Sequence, residues 1–178
     1  MISYYPAEAR IDLSAIRSNL SSVREAAGEA AVLAVVKADA YGHGRAEVAR
    51  ALAPAADYLG AAQLGEALAL REEVGPGPRI LTWIFAPGAP LAQALRADVE
   101  LSAGAFWAID EIAQAARETG TTAKVHLKVD TGMARGGFNL SDVAEASRRL
   151  RALQADGLFS VVGLWSHLAR ADEPESGT

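Results

Sequence analysis

Lys37 closes the apolar run AVLAVV (31–36) and is followed at once by ADAYGHG, which sets Asp39, Tyr41, Gly42, His43 and Gly44 close behind its amine. A Val-rich run of this length reads as a strand buried on both faces, of the kind found in parallel sheets under helices. A lysine leaving the carboxyl end of such a strand stands where the loops of α/β folds assemble active sites. Partial desolvation there lowers its pKa toward that of a nucleophile. The same placement also suits a plain cation reaching for water along its apolar stem. The turn weighs toward chemistry, since Gly42 and Gly44 allow close ligand approach and Tyr41 offers a hydroxyl near the amine. The G-x-G lacks the third glycine of a dinucleotide-binding loop. His43 reads as a turn-stabilising or solvent-facing side chain.

Two later segments carry further candidates. KVHLKVDTGMARGGF (124–138) reads as an alternating strand ending in a Gly-rich loop that presents Asp130, Thr131, Met133 and Arg135. Taken alone, a surface connection with a solvated arginine is the commoner reading of such a loop. LFSVVGLWSHLARADEP (158–174) is another strand-like run that ends in a polar cluster holding His167, and a lone histidine after a strand is more often structural. His43, His126 and His167 are too dispersed for a sequence-local metal motif, so no metal is expected.

VVKADAYGHG (35–44) resembles the pyridoxal-phosphate attachment motif of alanine racemases at essentially every position by which that family is recognised. DTGMAR (130–135) resembles the DTGM-x-R segment of the same enzymes, and the strand leading to His167 is a weaker match. The resemblance implies pyridoxal 5'-phosphate as cofactor, held by Lys37 as a Schiff base, with Lys37 also the base for the D enantiomer. It implies that Tyr41 binds the cofactor phosphate and that His167 packs near the ring. It places Arg135 beside the phenolic oxygen and the substrate carboxylate, a task suited to a permanently charged fork. Lys128 matches a lysine that is carbamylated in many members and orients that arginine. The implied reaction interconverts L- and D-alanine by removal and return of the α-proton, supplying D-alanine for peptidoglycan. A small amino acid is the implied substrate, with serine as an alternative to alanine, and a cytoplasmic homodimer the implied assembly. Two other readings stay open: a non-catalytic pyridoxal-phosphate carrier and an inactive fragment.

Composition bounds the choice. With 178 residues, 51% hydrophobic and 22% charged, the chain can bury one substantial core. Zero cysteines exclude a disulfide scaffold and a thiolate metal site. A net charge of −5 argues against a nucleic-acid or anionic-membrane surface, and no run approaches a membrane span or a secretory leader.

The elements that must position these residues alternate along the chain. Asp12 caps a helix from Leu13 in which Ile16, Leu20 and Val23 recur at helical spacing. After the Lys37 strand come a helix at Glu47 to Leu52, a strand at Tyr58 to Gly60 and a helix at Leu64 to Glu73. Beyond the GPGP turn follow a strand at Arg79 to Phe85, a helix at Leu91 to Arg96 and a strand at Val99 to Ser102. A helix at Phe106 to Glu118, a strand at Ala123 to Asp130, a helix at Ser141 to Gln154 and a strand at Leu158 to Leu164 complete the pattern. Trp83, Trp107 and Trp165 are expected as buried packing, and Arg148, Arg149 and Arg151 as a solvated helix face.

The expected fold is therefore α/β, a parallel βα repeat. By the resemblance it is the first six units of a TIM-type (β/α)8 barrel. Residues 1–178 form one incomplete barrel domain, truncated before the seventh strand and without the family's C-terminal β domain. The resemblance implies that the absent part carries further phosphate-binding residues, the arginine facing the pyridine nitrogen and a tyrosine acting as second base across the dimer. Two unpaired sheet edges are expected, and activity by complementation with a separate chain.

Overall fold

The computed structural model describes residues 7–173 and 175. Readings that touch residues 1–6, 174 and 176–178 lie outside them. In chain order the elements are α1 (Leu13–Ala27), β1 (Leu33–Val35), α2 (Lys37–Gly42), α3 (Arg45–Leu52), β2 (Tyr58–Gln63), α4 (Leu64–Val74) and β3 (Arg79–Ile84). They continue with α5 (Leu91–Arg96), β4 (Val99–Ala103), α6 (Phe106–Thr119), β5 (Ala123–Lys128), α7 (Val143–Ala155) and β6 (Phe159–Trp165).

All six strands are parallel and lie in the sequential order β1-β2-β3-β4-β5-β6. A doubly wound sheet reverses its order at an internal crevice, whereas an unbroken order with intervening helices is the winding of a barrel. One sheet face packs under the helices: Leu59, Ile80, Leu101 and Val125 reach zero exposure against Leu70, Ile109 and Ile112. The alternate residues, among them Tyr58, Arg79, Trp83, Glu100, His126, Lys128 and Trp165, share the opposite face.

That second face is the lumen of a strongly curled sheet. Tyr58 on β2 and His126 on β5 have ring centroids 6.2 Å apart, and Trp83 on β3 and Trp165 on β6 meet at 6.0 Å. Each pair is three strands apart, which on a flat sheet would separate them by about 14 Å. Small residues make the curl possible. A Cβ on Gly60 would lie 2.5 Å from Leu33 Cδ2, and one on Gly163 would collide with His126 Nδ1. A bulge at Val162 sets Gly163 opposite His126 and Trp165 opposite Lys128.

A charged cluster occupies the lumen floor. Glu100, 1% exposed, accepts from Arg79 Nε at 2.7 Å and pairs with His126 Nε2 at 2.6 Å, while Arg79 lies over the Tyr58 ring. Burial pushes the Glu100 carboxyl up. Hydrogen bonds from His126 and Arg79 and the charge of Arg79 outweigh that and hold it below the usual carboxylate range.

Several elements depart from the sequence expectation. β1 is only Leu33–Val35, and Val35 is 37% exposed rather than buried on both faces, because β1 pairs with β2 alone. Val36 extends the pairing by one bond to Gly60 O, at 2.8 Å, and is itself buried. Trp107 is 38% exposed at the start of α6, edge-on to Phe85. The helix expected from Ser141 begins at Val143, and β5 ends at Lys128. Arg148, Arg149 and Arg151 are exposed as expected, with Arg148 and Arg149 pairing with Glu145 along that face and Arg149 also lying over Phe106. The Asp12 cap is as expected: its Oδ1 accepts from Ser14 and Ala15 N–H at 2.8 and 3.1 Å. No helix among the described residues is long and apolar enough to cross a membrane.

Candidate active site

Lys37 leaves the carboxyl end of β1 half-buried, with its Nζ 5.6 Å from the centre of the Tyr41 ring. The Tyr41 side chain is largely exposed at the mouth. Between them the backbone does something the sequence does not announce. Ala38, Asp39, Ala40 and Tyr41 all have φ of 50–56°, a left-handed turn built from non-glycine residues. At roughly 1–2 kcal/mol per residue for the left-handed form, such a run must be held by its surroundings. Asp39 Oδ1 accepts from Arg45 N–H at 2.7 Å, and Gly44 N–H donates to Asp39 O at 3.0 Å. Glu66 Oε1 accepts from Ala38 N–H at 2.6 Å. His43 Nδ1 lies 2.9 Å from Ala40 O, which makes it a turn-stabilising side chain.

Lys128 and Arg135 sit on opposite ends of one tight loop. After β5 the chain folds back on itself: Asp130 N–H donates to Phe138 O and Phe138 N–H to Lys128 O, both at 2.9 Å. Asp130 spends its carboxylate inside the loop, accepting from Gly132 and Ala134 N–H, and these bonds hold it below the usual range. Gly137 is required here, because a Cβ would stand 2.7 Å from Asp130 N. Gly104, at the end of β4, lets that turn press on the same loop, where a Cβ would be 3.1 Å from Gly137 N.

Lys128 is 6% exposed, donates to Arg135 O at 3.1 Å and lies over the Trp165 ring. Burial, then the nearby Arg135 charge, push its pKa below the ordinary lysine value. The bond goes to the Arg135 carbonyl, so as a plain amine Lys128 fixes the loop and not the guanidinium. The exposed Arg135 side chain makes no ion pair among the described residues.

His167 joins the two groups. Its ring tilts against Trp165 at 5.1 Å, and its buried Nδ1 has no hydrogen-bond partner among the described residues. Burial lowers its pKa, and the charges of Lys128, Arg135 and Lys37 lower it further, so the imidazole is neutral at pH 7. Lys37 at the start of α2, Lys128 at the end of β5, Arg135 in the loop beyond it and Trp165 at the end of β6 thus bear on one ring. Thr131 Oγ1, 2.6 Å from Ser166 Oγ, ties the Arg135 loop to the segment carrying His167.

A cavity of about 370 Å3 opens beside this group, walled by Trp83, Phe85, Trp107 and Ser102 and reaching Lys128 and Arg135. Lys37, Tyr41 and His167 do not line it. Ser102, which accepts from Trp165 Nε1 at 2.9 Å, and Glu66 escaped the sequence reading. Glu66 had a usable signal in its spacing from Gln63, the capping-box interval at the start of α4.

The model of the alanine racemase N-terminal domain matches residues 11–178. The chain belongs to the alanine racemase family. It is 58% identical over 174 residues to the alanine racemase of Beutenbergia cavernae, covering 97% of this chain and 46% of that protein. It is 48% identical over 171 residues to that of Thermobifida fusca, covering 96% and 46%. The crystal structure of alanine racemase from D-cycloserine-producing Streptomyces lavendulae superposes with a TM-score of 0.90 at 45% identity, covering 94% of this chain and 44% of that one. The barrel reading of the six-stranded sheet is thereby borne out. The chain spans about half the length of the curated relatives it matches. The alanine racemase family is one of pyridoxal-phosphate enzymes.

Proposed function

We propose that residues 1–178 are the incomplete barrel domain of an alanine racemase, holding pyridoxal 5'-phosphate on Lys37. The observation that carries this reading is that Lys128 lies over Trp165, Trp165 packs on His167, whose Nδ1 has no hydrogen-bond partner among the described residues, and Thr131 ties the Arg135 loop to the same segment. The donor set suits the cofactor: an amine for its aldehyde, a tyrosine hydroxyl and a guanidinium for its anionic oxygens, and a Trp165–His167 wall for its ring. Bound there, pyridoxal phosphate supplies an electron sink that acidifies the α C–H of an amino acid.

The chain's own residues do the rest. Once a substrate amine takes its place on the cofactor aldehyde, the freed Lys37 amine would take the proton from, or return it to, one face of the α-carbon. Tyr41 would donate to the phosphate, and the Arg135 fork would hold the substrate carboxylate. His167, its pKa lowered by burial and then by the charges of Lys128, Arg135 and Lys37, would pack against the ring without adding charge. Lys128 is the candidate for carbamylation, because a buried lysine with a lowered pKa offers the neutral amine that reacts with carbon dioxide. The resulting anion would give the Arg135 guanidinium the partner it lacks among the described residues.

Racemisation requires a proton carrier on each face of the α-carbon. Lys37 serves one, and the other is assigned to residues outside this chain, in a homodimer or a complementing polypeptide. The names of the relatives favour alanine over serine as substrate, and the cytoplasm is the proposed location. The test is to incubate the protein with pyridoxal phosphate, reduce with borohydride and map the label over its three lysines. Label on Lys37 is expected, and label confined to Lys124 or Lys128 would defeat the assignment. A coupled assay for L- to D-alanine then separates turnover from cofactor carriage alone.

A further inference from the structure

We propose that Glu66 is a positioning residue for Lys37, its carboxylate fixing the first peptide of the left-handed turn from which the lysine side chain springs. The proposal rests on the reading of Lys37 as cofactor anchor. Later parts of the turn have local holds: Ala40 N–H donates to Val36 O at 3.0 Å, and Asp39 and His43 secure the exit. The entry is held from a distance. The N–H of the Lys37–Ala38 peptide donates to Glu66 Oε1 at 2.6 Å, across 28 residues of sequence. That peptide plane sets the direction of the Lys37 Cα–Cβ bond, and hence the arc its amine can sweep.

Glu66 is itself immobilised. Its Oε2 accepts from Gln63 N–H at 3.0 Å, and the Gln63 side chain accepts from the Glu66 N–H in return, a closed capping box at the start of α4. One carboxylate therefore accepts two backbone hydrogen bonds, one serving the cap and one serving the turn after β1. Only a carboxylate can do both. A glutamine has one acceptor oxygen and would turn its NH2 toward the other N–H.

The cap and the positioning role separate by mutation. Gln63→Ala opens the box and leaves the Glu66–Ala38 bond, Glu66→Gln forfeits one acceptor, and Glu66→Ala removes both. Each protein is incubated with pyridoxal phosphate across pH, reduced and mapped. Loss of a charge-assisted hydrogen bond corresponds to about a tenfold fall in adduct at Lys37 in both Glu66 variants. Labelling of the partly exposed Lys124 stays constant as internal control, the pH profile at Lys37 shifts, and Gln63→Ala keeps the wild-type adduct while losing thermal stability. If Glu66→Ala labels Lys37 as wild type does, or if Gln63→Ala loses adduct in step with it, Glu66 is a cap residue only and the proposal falls. Failure of the anchor reading is separable, since it leaves wild-type Lys37 unlabelled. Hydrogen exchange of the Ala38 amide and acylation of Lys37 by acetic anhydride then decide the matter without cofactor. Both must rise in Glu66→Gln relative to Gln63→Ala, and equality overturns the proposal.

Discussion

Replacing Gly137 by alanine tests whether the loop that carries Arg135 depends on a backbone approach no side chain can share. The added Cβ would stand 2.7 Å from Asp130 N and 2.8 Å from Val129 C, at a φ of 118°. Its neighbours are main chain, so relief requires the loop to lift away from β5. Two hydrogen bonds flank the collision, Asp130 N–H to Phe138 O and Phe138 N–H to Lys128 O, both 2.9 Å. A lift of about 0.7 Å takes both past useful length. Their loss costs roughly 0.5–1.5 kcal/mol each, and the strained φ adds about 1–3 kcal/mol. The expected total is about 2–6 kcal/mol, a large share of the roughly 5–15 kcal/mol of a typical domain. Gly136 is the internal control: its φ is 75° and a Cβ there meets nothing within 4 Å, so Gly136→Ala should cost only about 1–2 kcal/mol. Urea unfolding followed by tryptophan fluorescence measures both. A Gly137→Ala cost equal to that of Gly136→Ala would refute the packing argument.

The electrostatics make two further predictions. Glu100→Gln should cost about 3 kcal/mol at neutral pH by urea midpoint, since it leaves Arg79 and His126 without their carboxylate. The Glu100 pKa is depressed in the folded state, so its stabilisation is present above the unfolded carboxyl value and lost as pH falls through the lowered folded value. Wild type and variant should therefore converge in acid, and a gap that stays constant would count against the network. For His167, an NMR titration should give a midpoint below 6.5, rising in Arg135→Ala because one of the cations depressing it is gone. Between the lowered value and 6.5 the unfolded chain binds more protons, so stability declines as pH drops through that window. A midpoint unmoved by Arg135→Ala would remove the guanidinium from this ring's surroundings.

Much of the fold was legible because period-two alternation in a segment such as KVHLKV separates a helix-facing set from a lumen-facing set without ambiguity. In the structure Val125 and Leu127 take the helix side of that alternation, and His126 and Lys128 the lumen side. The run AVLAVV was read as doubly buried because apolar composition does not distinguish a central strand from an edge strand; only the pairing of β1 with β2 alone does. Trp107 was misjudged for a related reason, since composition reports what a residue prefers and not which end of a helix it occupies. The left-handed turn had no signal, as ADAY contains no glycine and its supports come from elsewhere in the chain. Glu66 bonds 28 residues away, and Glu100 meets His126 across 26. Such pairings belong to the sheet's register, which no local window contains.

The width of the barrel's interior is set by what fills it, and this governs who meets at the rim. Were the sheet flat, the first and last strands would be its far ends, and Lys37 and His167 would never sense each other. Because two glycines yield space and two indoles lean together, the opening narrows until, beyond burial and the charges of Lys128 and Arg135, the Lys37 charge from near the start of the chain also lowers the pKa of an imidazole near its finish. A methyl group inserted at Gly163, against the His126 ring, should thus be felt first as a widened gape between those two nitrogens.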